Sequence, residues 1–286
     1  MLTTLVSILE RAESGGYAVI APDFSSILTA RTMLKIAEDQ QAPLILSYST
    51  HFKPICDVSS YSRFIEIVRN EIEHVNIPVA LHLDHATTIE EIKEAVDTGF
   101  TSVMMDASFE SNDKNRIMTQ QTVAIAHPKG VSVEAELGHV ATGQDYVASD
   151  SVAGFLTDPK AAVQFVADTG IDALAVAIGT VHGPYKGEPN LDFDLLAELK
   201  RLVPVPLVLH GSSGLGEDNI KRSIDLGIRK INVYSDLMTH MQLAMRDELK
   251  RQHTDPLAVV QAQIDAIRAI LSEYISFSGS AGKASR

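Results

Sequence analysis

Residues 79–107, VALHLDHATTIEEIKEAVDTGFTSVMMDA, decide the fold. Val79 to His85 is a short apolar run ending on polar residues, Thr88 to Asp97 is a helix-period segment opened by a cap-like Thr, and Gly99 stops it before a second run, Ser102 to Ala107. Run, helix, stop and run make a strand–helix–strand unit, whose strands are parallel. Strands this apolar belong to a sheet covered by helices.

The same unit recurs in both directions along the chain. Before it lie Tyr17 to Phe24 (YAVIAPDF) and Ala42 to Tyr48 (APLILSY); after it lie Val131 to Leu137 (VSVEAEL), Ala173 to Gly179 (ALAVAIG), Leu207 to Gly211 (LVLHG) and Lys230 to Ser235 (KINVYS). Helical segments lie between them, such as Ser59 to Glu73, Lys160 to Asp168, Phe193 to Arg201 and Asn219 to Leu226. Gly130, Gly170, Pro204, Pro206 and Gly227 punctuate the entries to later runs. Eight repeats predict closure into an α/β, (β/α)8 TIM barrel; an open doubly wound sheet is the structural competitor. The 286 residues then form a single domain, 1–286, since barrels of about 250 residues fold as one unit.

Two stretches depart from the rhythm. Gly138 to Asp158 (GHVATGQDYVASDSVAGFLTD) is long and rich in small residues, the pattern of a mobile active-site loop. Phe277 to Arg286 (FSGSAGKASR) reads as a flexible tail, either frayed or pinned by a neighbouring subunit.

Composition narrows the function. Thirty-seven acidic residues against twenty-four Lys plus Arg give a net charge of −13, which disfavours nucleic acid and anionic membrane as partners. A phosphate group must therefore be held locally. The single cysteine, Cys56, excludes an internal disulfide and a thiolate metal cage and fits a reducing compartment, so the expected location is cytoplasmic. The opening stretch MLTTLVSILERAESGGYAVI reads as an amphipathic helix and lacks a leader's pattern, and no run of 18 or more apolar residues occurs.

A barrel builds its active site at the carboxyl ends of its strands. There the third run ends in Asp84 and His85, the sixth leads into His182 and the seventh ends in His210. Three imidazoles leave open positions on a zinc ion, as catalytic sites do, and Asp84 beside them can act as a general acid or base. His51, His74, His127, His240 and His253 read as structural, His82 as a packing or orienting residue, and His139 is undecided. Glu134 and Glu136 face the same side of the fifth run and need a cation or a hydrogen-bonding partner. Glu134 is either a support behind the metal ligands, an alternate metal ligand or a salt-bridged core carboxylate, and Asp106 has a similar status. Gly179, Thr180 and Gly183, then Gly211, Ser212 and Ser213, then Asn232 and Ser235, supply small or donor residues where barrels often bind phosphate. No lysine ends the sixth run, and Lys230 opens the eighth on what reads as the opposite face, so a metal is favoured over a Schiff base.

Across nearly its whole length the chain resembles the class II, metal-dependent ketose-bisphosphate aldolases of the tagatose-bisphosphate and fructose-bisphosphate type. The resemblance rests on LHLDH (81–85), SVMMDAS (102–108), SVEAELG (132–138), DALAVAIGTVHG (172–183), PLVLHGSSGL (206–215) and KINVYSDL (230–237). It implies one zinc ion per subunit on His85, His182 and His210, with Glu134 holding a second or displaced metal position. Asp84 is then the proton donor to the hydroxyl beside the bond being broken. The dihydroxyacetone-phosphate end of a small phosphorylated sugar would be gripped by Gly183, by Gly211, Ser212 and Ser213, and by Asn232, Val233, Tyr234 and Ser235, with a monovalent cation, Na+ or K+, at the phosphate. Homodimers or homotetramers are the expected assemblies.

The implied reaction is reversible aldol cleavage of a ketose 1,6-bisphosphate, or of a ketose 1-phosphate, to dihydroxyacetone phosphate and an aldehyde. A Lewis acid stabilises the enediolate by several kcal/mol. The competing readings are a metal-dependent isomerase or hydrolase and a non-catalytic aldolase-like subunit. Three departures from the family bear on specificity. The loop reads HVATGQDYVASD, with Gln144 near the expected acid and Asp145 as a substitute, which leaves the base at C3 unassigned; Tyr234 stands where a small or acidic residue is common; and the first run reads APDFSS where Phe-Asn is common.

Overall fold

The computed structural model describes residues 1–53, 61–142, 155–185, 187–251 and 255–284. All eight runs form strands: β1 (Val19–Pro22), β2 (Leu44–Ser49), β3 (Val79–Ala86), β4 (Ser102–Met105), β5 (Ser132–Leu137), β6 (Ala173–Val176), β7 (Leu207–Leu209) and β8 (Ile228–Val233). Every pairing in the sheet is parallel, and the order β1-β8-β7-β6-β5-β4-β3-β2 sets each strand beside its neighbours in sequence. The sheet closes where the Phe24 N–H donates to the Ser47 carbonyl at 2.9 Å. A closed order with no reversal excludes the doubly wound alternative.

The outer ring is α2 (Ile27–Asp39), α3 (Tyr61–Glu73), α4 (Ile89–Thr98), α5 (Asn112–Ala126), α6 (Pro159–Thr169), α7 (Phe193–Leu202), α8 (Gly216–Asp225), α9 (Ser235–Leu249) and α10 (Pro256–Phe277); α1 (Leu5–Gly15) precedes β1. The sequence starts and stops these helices locally. Ser26 and Thr88 form capping boxes with Thr29 and Glu91, and Gly99 and Gly170 close α4 and α6 in left-handed conformations.

Side chains alternate across each strand. One set (Ile20, Leu44, Leu46, Leu81, Leu83, Val133, Leu174, Leu209 and Ile231 among them) packs against the helices. The other set points into the lumen. At the amino-terminal mouth Val19, Ala21, Ile45, Ala80, Ala173, Ala175 and Val208 pack against Leu5, Ile8, Leu9 and Ala12 of α1, which plugs that end as the amphipathic pattern predicts. Two residues further along the same face come the polar groups of the site.

The tail differs from the flexible segment expected. Ser278 and Ser280 are buried, and the Gly282 and Ala284 N–H groups donate to the Gln40 and Gln41 carbonyls at 2.9 and 2.8 Å. Residues 277–284 are thus pinned by this chain's own α2 end. In the expected loop 138–158, residues 143–154 lie outside the described residues, and with them Gln144 and Asp145. Cys56 lies outside them too.

Candidate active site

Period two explains which polar residues meet. His82 and Asp84 share the inner face of β3, Glu134 and Glu136 that of β5, and Lys230 and Asn232 that of β8. His85 would point outward on the same rule. Instead the register slips between Leu83 and Ala86 and His85 takes φ of 50°, a left-handed conformation uncommon for residues other than glycine. The bulge brings Asp84 and His85 into one cleft, a use of local strain common at functional sites.

His85, His182 and His210 come together with ring centroids 4.7–6.0 Å apart, and one nitrogen from each lies within 4.8 Å of the others. Each ring is held from behind. His85 Nδ1 pairs with Asp106 at 2.7 Å, His182 Nδ1 donates to the Val140 carbonyl at 3.2 Å, and His210 Nε2 meets Glu134 at 3.2 Å. His210 Nδ1 is buried 3.2 Å from Glu136 Oε2, a contact that falls short of hydrogen-bond geometry. Imidazoles oriented by carboxylates and carbonyls, each with a nitrogen left over, fit a divalent metal.

The electrostatics agree. Burial opposes charge on His85, yet Asp84, Asp106 and Glu136 overcome it and raise its pKa to about 10, the field of a cation site. Burial, with the positive potential of His85 and His210, pushes His182 down to about 4. Asp84 is buried, but His85, a hydrogen bond from His82, Lys230 and His210 hold its carboxyl well below the usual range. Asn232 Nδ2 donates to both Asp84 oxygens at 3.1 and 3.0 Å. An ionised carboxylate fixed beside the histidines can accept and return a proton.

Lys230 corrects the sequence reading. It lies in the middle of β8 on the inner face, and its Nζ sits 2.9 Å from both Glu134 oxygens, 3.9 Å from Asp84 Oδ1 and 3.4 Å from His82 Nε2. The strand starts at Ile228, two residues earlier than the run suggests, and the long stem reaches along the lumen. Glu134 is accordingly both a neighbour of His210 and the partner of a buried ammonium. Lys230 first, then His210, lowers its pKa to about 2 against the effect of burial.

The cleft above has a volume of about 570 Å³. Gly183, Gly211, Ser212, Ser213, Asn232, Tyr234 and Ser235 line it, whereas Val233 lies buried in the layer behind the sheet. Period two sends Val233 away from its neighbours Asn232 and Tyr234. The loops after β7 and β8 meet at the N-terminus of α9, where backbone dipoles favour an anion. Asp236 ties them together, accepting from the Gly214 N–H at 3.2 Å and from Tyr274 at 2.6 Å, while its own N–H donates to Ser213 Oγ.

His51 and Asp23 are among the lining residues to which the sequence reading gave no individual site role. His51, read as structural, sits on the cleft with its Nδ1 2.9 Å from Ser49 Oγ. Asp23 follows β1 where the strand-end rule applies, and its Oδ1 is shut from solvent without a partner; burial and then Asp84 raise its pKa well above the ordinary value. His139, undecided from sequence, also lines the cleft and pairs with Ser108 at 3.0 Å.

A family model for class II fructose-bisphosphate aldolase matches residues 3–283. The chain belongs to the class II fructose-bisphosphate aldolase family. These aldolases are lyases, and the eight-stranded barrel above is their fold. The chain is 38% identical over 289 residues to the fructose-bisphosphate aldolase of Geobacillus stearothermophilus, covering 100% of this chain and 99% of that one. It is 37% identical over 287 residues to the Staphylococcus aureus (strain Mu50) enzyme of the same name, covering 99% of each. Among solved structures, the YdjI aldolase from Escherichia coli K12 superposes with a TM-score of 0.87 at 32% identity, covering 100% of both chains. As an aldolase of this family the protein acts on a phosphorylated sugar, and among the described residues no helix is long and apolar enough to cross a membrane.

Proposed function

We propose that the protein is a zinc-dependent aldolase that cleaves a ketose 1,6-bisphosphate of the tagatose or fructose type, or a ketose 1-phosphate, to dihydroxyacetone phosphate and an aldehyde. The observation that carries this reading is the convergence of three back-braced imidazoles with a buried, ionised Asp84 beside an anion cradle. His85, His182 and His210 would hold the ion, which supplies a Lewis acid for the charge that develops on the oxygens next to the breaking bond.

The chain's own residues account for the rest. Gly183, Gly211, Ser212, Ser213 and Ser235 would seat the phosphate at the α9 N-terminus, which points the reacting carbons towards the histidines. In cleavage Asp84 accepts the proton of the C4 hydroxyl, the C3–C4 bond breaks with its electron pair going to C3, C4 leaves as the aldehyde carbonyl, and C3 takes up one proton to complete dihydroxyacetone phosphate. In condensation the protonated Asp84 is the donor. The lowered pKa of Asp84 supports an acceptor role in cleavage, beside the donor role implied by resemblance. Asn232, donating to both carboxylate oxygens, keeps Asp84 turned to the substrate.

Dihydroxyacetone phosphate release, followed by a coupled assay with zinc-loaded and chelator-treated protein, tests the reading. Chelator-sensitive release from a ketose phosphate is the expected result. Release that survives complete removal of metal would overturn the metal role.

A further inference from the structure

Cleavage leaves C3 one proton short, while Asp84 is occupied with the proton of the C4 hydroxyl. Several other titratable groups on the cleft are committed. His85 and His182 belong to the histidine cluster, Asp106 pairs with His85, and Glu136 Oε1 accepts from the Val140 N–H at 3.0 Å. Asp23, His51 and Tyr234 follow β1, β2 and β8, on the side where Ser49 and Asn232 flank Asp84. His139 lines the cleft from the other side of the His85–His182 pair. Its neighbour Val140 receives the His182 Nδ1 bond, and its partner Ser108 bonds to Asp106 behind His85. The His139 N–H donates to the Phe155 carbonyl at 2.9 Å and its ring meets the Phe155 ring edge-on at 5.6 Å, which holds the imidazole on the rim.

A short hydrogen-bond chain decides which nitrogen of His139 is available. Asp106 Oδ1 accepts from both the N–H and the hydroxyl of Ser108, at 3.1 and 2.8 Å. A hydroxyl has one hydrogen, so Ser108 Oγ, 3.0 Å from His139 Nδ1, accepts there. Nδ1 therefore carries a hydrogen, and the lone pair of the neutral ring is on Nε2. The Nδ1 bond persists when the ring is protonated, so the proton that comes and goes is the one on Nε2.

We propose that His139 is the residue that delivers the proton to C3 in cleavage and removes it from dihydroxyacetone phosphate in condensation. The inference rests on the aldolase reading above and assigns its second proton transfer. In cleavage the enediolate's electron pair forms the new C3–H bond with the Nε2 proton, and the ring is left neutral. Asp84 has gained one proton and His139 has lost one, so a single proton carried by water from one to the other resets both. In condensation the neutral Nε2 takes the C3 proton, and the C–H electron pair remains on the enediolate. Two proton carriers on opposite sides of the metal histidines match two reacting atoms, the C4 oxygen and C3.

Deuterium exchange into C3 of dihydroxyacetone phosphate, with zinc-loaded protein in D2O and no aldehyde present, isolates this step and is followed by proton NMR. Wild-type protein is expected to exchange, and His139→Gln to lose at least about a hundredfold of that rate. Calorimetric binding of dihydroxyacetone phosphate and the zinc content are expected to stay within about threefold of wild type in the same variant. A smaller fall in exchange, or a loss of binding that accounts for the fall, overturns the proposal and leaves the aldolase reading standing. If Asp145 carries the proton instead, exchange survives His139→Gln and is lost in Asp145→Asn. Wild-type protein that cleaves no ketose phosphate overturns the aldolase reading and this role with it.

Discussion

Among the described residues Lys230 is the lysine buried in the barrel's polar layer, and replacing it with Met isolates its effect. Its Nζ lies 2.9 Å from both Glu134 oxygens, and both side chains are fully buried. Removing one member of a buried pair leaves an uncompensated charge and costs about 3–5 kcal/mol. At about 2 °C per kcal/mol for a chain of this size, the melting temperature falls by about 6–10 °C. Urea unfolding of metal-free protein followed by circular dichroism measures the loss, and an unchanged m-value shows that the native state has not loosened. The pH dependence follows from Glu134. Its pKa is lowered from an ordinary 4.5 to about 2, so its contribution is present above the unfolded value and lost as pH falls through about 2. The gap between wild type and Lys230→Met is therefore widest above about pH 4.5 and narrows below it. In a double variant, Lys230→Met with Glu134→Leu, most of the lost stability returns, because a well-packed apolar pair replaces a buried ion pair at little cost. A loss under about 1 kcal/mol, or a double variant that loses the sum of the singles, would refute the reasoning.

Four further outcomes are expected. His210→Ala removes bound zinc and activity, read by metal analysis and turnover, while the circular dichroism of the barrel is retained; activity in a metal-free variant contradicts the ligand role. Asp84→Ala keeps zinc and loses cleavage by at least about a hundredfold, and an unchanged kcat contradicts its proton-transfer role. Asp106→Asn weakens the carboxylate behind His85 and lowers metal affinity about 10- to 100-fold in a competition titration with a chromophoric chelator; wild-type affinity would mean that Asp106 does not orient the ring. Gly211→Ala places a Cβ 2.5 Å from the Val181 carbonyl oxygen at a φ of 66°, so the Ser212–Ser213 loop must shift, and KM for the phosphorylated substrate should rise more than kcat falls.

The barrel was legible because its signals are local and repeat: apolar runs of one length, cap residues at helix starts and glycines at helix ends recur from Tyr17 to Ser235. Asp84, His85, His182 and His210 were legible for the same reason, since the carboxyl end of a strand is a place that sequence can mark. The sequence alone also determined the acidic balance. Other features depend on which face a side chain takes and on what lies opposite it, and only the closed barrel sets these. A register slip turns His85 to join Asp84, period two sends Val233 behind the sheet, and the lumen brings Lys230 of β8 to Glu134 of β5 across 96 residues. His51 and Asp23 gain their meaning in the same way. Each becomes part of a site only when β1, β2 and β8 meet at closure, because a carboxylate's chemistry follows from burial and neighbouring charge, and those are properties of the fold.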